Sequence, residues 1–266
     1  MTTGSVLDRP EVLRLLFYPR REEPTFIPPS ARPVAFEVEP NLTIGGRLYP
    51  AGARARVILF FHGNGEIAAD YDDLAPLYTR LGITLLVADY RGYGTSGGTP
   101  TASHLLTDAV AVFDQVGRVL EACGLAPSRL YVMGRSLGSA AAIEVTLHAG
   151  ERLAGLIIES GFADTFGLLA RLGLRVVGAD EERDGFGNVV KMSHIRTRAL
   201  VIHGQSDVLI PASDGQELYR RCAATDKRLV LIPGAGHNNL MLVGVAAYFE
   251  AIRAFVRLGL AEHRQV

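Results

Sequence analysis

Short β-forming runs that alternate with windows of helical periodicity constrain this chain more than any other feature. Residues 57–61, 84–88, 130–133, 155–158, 199–202 and 228–232 are mostly continuous in apolar side chains, as strands buried on both faces should be. Two further runs, 34–38 and 42–48, read as a hairpin joined through Glu39-Pro40-Asn41. Helical windows lie near 68–81, 103–122, 137–148, 214–222 and 243–258. The clearest is 103–122, where Leu106, Ala109, Val110, Phe113, Val116 and Leu120 share one face. Parallel strands need crossover connections, so the alternation predicts an α/β fold: a mostly parallel eight-stranded sheet with helices on both faces.

A chain of 266 residues fits one such domain, and no repeat or low-complexity linker divides it. Pro10, Pro19, Pro24, Pro28, Pro29 and Pro33 set residues 1–33 apart as an arm laid over a single domain at 34–266. The apolar cluster Val12, Leu13, Leu15, Leu16 and Phe17 should dock that arm on the body, since too few cations accompany it for a membrane-surface helix.

Charge excludes one class of partner. Lys plus Arg (27) balance Asp plus Glu (28), without the basic footprint that a nucleic-acid partner requires. Cys123 and Cys222 supply neither a disulfide framework nor a four-thiolate zinc site, and the expected setting is cytoplasmic. The opening Met1-Thr2-Thr3-Gly4-Ser5-Val6 has no basic stretch followed by an apolar one, and no apolar run is long enough to span a membrane.

Gly134-Arg135-Ser136-Leu137-Gly138 lies between the run 130–133 and a small-residue helical window. That strand-turn-helix context is what a G-x-S-x-G nucleophile elbow requires. A serine hydroxyl is a poor nucleophile near neutrality and needs a base, which in turn needs an orienting carboxylate. In the chain order Ser, acid, His, the partners are Asp207, in His203-Gly204-Gln205-Ser206-Asp207, and His237, in Gly234-Ala235-Gly236-His237-Asn238. Both follow strands at their carboxyl ends, where open α/β sheets gather ligands. His104 and His148 fall in helical windows and His263 in the tail, while His62 and His203 suit loop bracing. Glu159, at the end of the run 155–158, is the rival acid.

His62-Gly63-Asn64-Gly65 follows the run 57–61, where the early strand-to-helix loop supplies an oxyanion donor. The expected oxyanion hole is the backbone amides of Asn64 and Leu137. Gly92-Tyr93-Gly94-Thr95-Ser96-Gly97 matches G-x-G-x-x-G, but Gly98-Thr99-Pro100 delays the helix and Asp108 and Asp114 lie inside it. A dinucleotide site should open a helix at once and place an acid on a second strand. With no Walker loop and no His-Glu-x-x-His, neither cofactor nor metal is expected.

Taken with Asp89-Tyr90-Arg91-Gly92-Tyr93-Gly94-Thr95-Ser96, these motifs make residues 34–258 resemble the Bem46-like α/β-hydrolases, relatives of monoacylglycerol lipases and protein depalmitoylases. The resemblance implies an α/β-hydrolase fold, a Ser136–Asp207–His237 triad, an oxyanion hole at Asn64 and Leu137, and a loop braced by Asp89 and Arg91. Lipidated depalmitoylase relatives carry an N-terminal cysteine cluster, whereas the first cysteine here is Cys123, a departure from that pattern. Substrate choice in that family resides in a cap segment, here a short one at 161–198. Leu168, Leu169, Leu172 and Val176 share a helical face there, packed on the core or, at Leu168 and Leu172, lining an acyl pocket. The run from Asp180 to Asp184 reads as solvated loop.

The expected function is hydrolysis of a small ester or thioester through an acyl-enzyme. Amide hydrolysis and a non-catalytic binding protein on the same fold are the alternatives. An aspartate-nucleophile dehalogenase or epoxide hydrolase does not fit a serine at position 136. A cap this short should leave the pocket open and favour medium acyl chains.

Overall fold

The computed structural model describes residues 5–23 and 27–257, built around one eight-stranded sheet. β1 (Arg32–Glu39) and β2 (Leu42–Tyr49) form an antiparallel hairpin. Asn41 turns it with a φ of 64°, a left-handed value that asparagine tolerates better than most side chains. The other strands are β3 (Arg56–Phe61), β4 (Ile83–Ala88), β5 (Leu130–Arg135), β6 (Gly155–Glu159), β7 (Ala199–Gly204) and β8 (Lys227–Ile232). Their spatial order is β1-β2-β4-β3-β5-β6-β7-β8, antiparallel between β2 and β4 and parallel from β4 onward. The chain steps from β3 outward to β4, then crosses back past β3 to β5. The loops leaving β3 and β5 therefore diverge, and the crevice between them is where an open α/β sheet places a ligand.

Around the sheet lie α1 (Pro10–Leu16), α2 (Ala75–Thr79), α3 (Ala102–Ala122), α4 (Gly138–Ala149), α5 (Thr165–Arg171), α6 (Glu181–Asp184), α7 (Asn188–Met192), α8 (Ala212–Arg221) and α9 (Leu240–Arg257). Strand side chains alternate between two cores. Val57, Leu59 and Phe61 join Val132, Leu156 and residues of α3 and α4 on one face. Ile58 and Phe60 join Tyr131, Ile157 and residues of α9 on the other. Burial on both faces is why these strands read as unbroken apolar runs.

Val12, Leu16 and Phe17 are buried in the first core, and α1 packs beside α5. Beyond α1 the chain runs along the loop after β4: the Gly94 amide donates to the Arg20 carbonyl at 2.8 Å and the Glu22 amide to the Gly94 carbonyl at 3.2 Å.

Two local expectations need correction. The window 68–81 is not one helix but a 3-10 turn, Ala68–Tyr71, followed by the five-residue α2. Pro76 has no amide to donate back to Asp72, so a continuous helix cannot form. The run from Asp180 to Asp184 is a helical turn whose Glu181 carboxylate accepts from the Thr165 amide (2.9 Å), the Thr165 hydroxyl (2.8 Å) and the Gly187 amide (3.3 Å). The end of the last helical window at residue 258, and His263, lie outside the described residues.

Burial pushes Glu181 up to about 7, against the Thr165 hydrogen bond, with Asp164 adding to the rise. A carboxyl raised on folding contributes fully below its unfolded value of about 4.3, and that contribution is lost as pH rises towards the folded value. Amide exchange around residues 165–187 is therefore expected to quicken between about pH 4 and pH 7 beyond its intrinsic pH dependence. Glu181→Gln should flatten that excess; an unchanged profile in the variant would contradict it.

Candidate active site

β5 ends and α4 begins within three residues, which leaves Ser136 at the apex with a φ of 51°. The flanking glycines make that turn possible. A Cβ on Gly134 would stand 2.2 Å from the Gly138 carbonyl oxygen, and one on Gly138 would stand 2.1 Å from the Phe61 carbonyl oxygen. Neither backbone can yield without moving the strand. Gly138→Ala is accordingly expected to cost about 1–3 kcal/mol or more, read as a fall in denaturant midpoint at constant m-value.

His237 Nε2 lies 3.0 Å from Ser136 Oγ, and His237 Nδ1 lies 2.7 Å from Asp207 Oδ2. An ionised carboxylate only accepts, so Nδ1 carries the proton and Nε2 turns its lone pair to the serine hydroxyl. The second oxygen, Asp207 Oδ1, accepts the amides of Leu209 (3.0 Å) and Ile210 (2.8 Å). Burial alone would raise the Asp207 pKa. Hydrogen bonds from His203 and His237, the charge of His237 and the Ile210 amide together hold it well below the usual carboxylate range. His203 is fully buried behind this loop; its Nε2 donates to the Ile210 carbonyl at 2.8 Å and lies 3.5 Å from Asp207 Oδ2.

Asn64 follows β3 across the crevice. Its side-chain oxygen accepts from the Tyr18 amide and the Tyr93 hydroxyl, both at 2.7 Å, so the arm and the loop after β4 pin this turn. The backbone amides of Asn64 and Leu137 have no acceptor among the described residues. His62 is buried beneath, with Nδ1 2.8 Å from the Gly63 carbonyl oxygen and Nε2 3.2 Å from Asp89 Oδ1. Asp89 Oδ1 also accepts the Ala68 amide at 2.8 Å, while Arg91 binds both oxygens of Asp108 (2.6 and 2.8 Å) and reaches Glu39 (2.7 Å). These side chains brace loops and do not reach Ser136.

Glu159 does not face the imidazole. Its carboxylate takes Arg135 Nε at 3.1 Å and the Tyr248 hydroxyl at 2.7 Å. Leu168 is buried and Leu172 half-buried, both packed with the first core, so packing is the role these side chains show. Sequence reasoning passed over Arg135, Glu66 and Tyr18. A charged residue closing a buried strand was the signal for Arg135; nothing local marks Tyr18.

Among the described residues, no group of three His, Cys, Asp or Glu side chains is arranged to hold a metal, and no helix is long and apolar enough to cross a membrane. Cys123 and Cys222 are both free thiols.

The family model described as serine aminopeptidase, S33, matches residues 52–178 and 188–241. An uncharacterized protein of Mycobacterium tuberculosis is 28% identical over 256 residues, 91% of this chain and 86% of its own length. The human alpha/beta hydrolase domain-containing protein 17B is 31% identical over 207 residues, 75% of this chain and 65% of its own. The esterase Pf2001 of Pyrococcus furiosus superposes with a TM-score of 0.72 at 18% identity, over 90% of this chain and 98% of that one.

Proposed function

The chain belongs to the serine aminopeptidase S33 family of α/β-hydrolases, and on that premise we propose that it is a serine hydrolase cleaving carboxylic esters or thioesters through an acyl-enzyme. The observation that carries this reading is the line Ser136 Oγ, His237 Nε2, His237 Nδ1 and Asp207 Oδ2, with steps of 3.0 and 2.7 Å. Ser136 Oγ attacks the acyl carbonyl while His237 Nε2 takes its proton, and Asp207 steadies the imidazolium. The oxyanion receives the unoccupied amides of Asn64 and Leu137, each such donor contributing about 3–4 kcal/mol to the transition state. His237 then protonates the departing alcohol or thiol, and water repeats the sequence on the acyl-enzyme.

A fluorophosphonate probe tests this directly. Peptide mass spectrometry should find the adduct on Ser136 alone and none on the Ser136→Ala protein; an adduct on another serine at undiminished yield would refute the assignment.

Amide cleavage is the second reading, favoured by the aminopeptidase name of the matched family. A free α-ammonium is held most strongly by a carboxylate that no other cation already neutralises. The two carboxylates flanking Arg135, Glu66 and Glu159, are instead engaged by that guanidinium and by Tyr71 and Tyr248. We therefore rank esters and thioesters first. Comparable kcat/KM on aminoacyl anilides and on acyl esters would reverse the ranking.

The segment between β6 and β7 holds only the short helices α5, α6 and α7, too little chain for a large mobile cover. Acyl chains should gain about 0.8 kcal/mol per buried methylene only until they outgrow the pocket. Across p-nitrophenyl esters of about two to sixteen carbons, kcat/KM is expected to rise to medium length and then level. A jump in rate on micelle formation would count against this open site.

A further inference from the structure

A half-buried guanidinium on the residue between the elbow glycine and the nucleophile requires compensation, and Arg135 finds it in three separate segments. Its Nε donates to Glu159 Oε1 at 3.1 Å, and Nη1 pairs with Glu66. Nη2 donates to both the His237 carbonyl and Asn238 Oδ1, each at 3.1 Å. Glu66 in turn accepts the Gly63 amide at 2.8 Å, in the loop that carries Asn64. Glu159 closes β6, and its carbonyl accepts the Ser136 amide at 2.9 Å. One side chain thus joins the nucleophile turn, the oxyanion loop and the histidine loop. The charges are compatible with that geometry. Burial pushes Glu159 up, whereas Arg135 offsets the same effect on Glu66 and holds it below its ordinary value.

Ala235 and Leu240 anchor the two ends of the histidine loop in the second core, but packing is incomplete beside His237 itself. On the side of Arg135 the histidine loop borders a cavity of about 200 Å³, lined by Glu66, Tyr71, Arg135, Glu159, His237 and Leu240 among others. Asp207 orients the imidazole ring, but the His237 backbone is held from this side by the guanidinium.

We infer that Arg135 is a positioning residue, whose fork of hydrogen bonds sets the His237 imidazole and the Gly63–Asn64 turn at working distance from Ser136. The inference rests on the serine-hydrolase reading and deepens it. Loss of the fork frees the imidazole to drift, and a displacement of about 1 Å costs on the order of a hundredfold in rate. Lysine keeps the charge between the two carboxylates but cannot reproduce the planar fork.

The test compares the full chain with Arg135→Met and Arg135→Lys on p-nitrophenyl butyrate. Active sites are counted by fluorophosphonate titration, so that misfolded molecules do not enter the rate. In Arg135→Met, kcat per titrated site is expected to fall about a hundredfold with KM within about twofold, the pattern of an interaction realised in the transition state. Arg135→Lys should recover the melting temperature and leave kcat per site at least about tenfold low. Wild-type kcat per site in either variant overturns the proposal, since a purely structural residue would change only the number of sites. If Arg135→Met does not fold, Arg135→Lys decides by the same criterion. Ser136→Ala distinguishes the two levels: turnover retained there overturns the serine-hydrolase reading itself, whereas its loss beside full rates in the arginine variants overturns only the positioning role.

Discussion

Ser136→Ala is expected to lower kcat/KM on p-nitrophenyl esters by roughly a million-fold, the scale set by removing a nucleophile from an assembled triad. Alanine takes the same backbone as serine at a φ of 51°, and the neighbouring glycines still shape the turn, so the fold should be unchanged. What remains is an imidazole with no hydroxyl to activate and two amides aimed at an oxyanion that forms only by slow attack of water. Those parts alone still accelerate hydrolysis by about a thousandfold to ten-thousandfold over water. The rate should therefore be measured at high enzyme concentration with fluorophosphonate labelling as a control for contaminating hydrolases. Turnover above about one percent of wild type would be incompatible with Ser136 as the attacking group.

The strands were legible because burial on both faces leaves few polar residues to interrupt them, and β3 through β7 are mostly apolar on both faces for that reason. The elbow was legible because its constraint is local: a strand, a strained serine and two glycines within five residues. Chain order narrowed the choice of acid and base, and the structure brings the same Ser136, Asp207 and His237 together. What stayed hidden depends on partners remote in sequence. Glu181 is polar in a polar run, and donors such as Thr165, sixteen positions away, make it an anchor. Arg135 meets Glu66 and His237 across separations of 69 and 102 residues. Tyr18 reaches Asn64 across 46. Periodicity carries no information about such contacts. The broken window at 68–81 differs in kind: Pro76 is visible in the sequence, and its missing amide outweighs the apolar spacing.

Asp207→Asn should lower kcat by about ten-thousandfold while leaving the fold intact, and the reason is geometric. Asp207 Oδ1 accepts the Leu209 and Ile210 amides, so an asparagine keeps its carbonyl oxygen there and turns its NH2 towards His237 Nδ1. A donor facing Nδ1 moves the ring proton to Nε2, which can then no longer accept the Ser136 proton. The same carboxylate contributes to stability, and the sign follows from its lowered pKa. A carboxyl depressed on folding stabilises above its unfolded value of about 3.9, and that contribution is lost as pH falls through the folded value. Wild type and Asp207→Asn should accordingly differ in melting temperature at neutral pH and converge as pH falls below about 4. Glu159→Gln provides the comparison. Glu159 binds Arg135 and Tyr248 rather than the imidazole, so its amide should cost far less than that of Asp207. The reverse ordering of the two variants would move the orienting carboxylate from the loop after β7 to the end of β6.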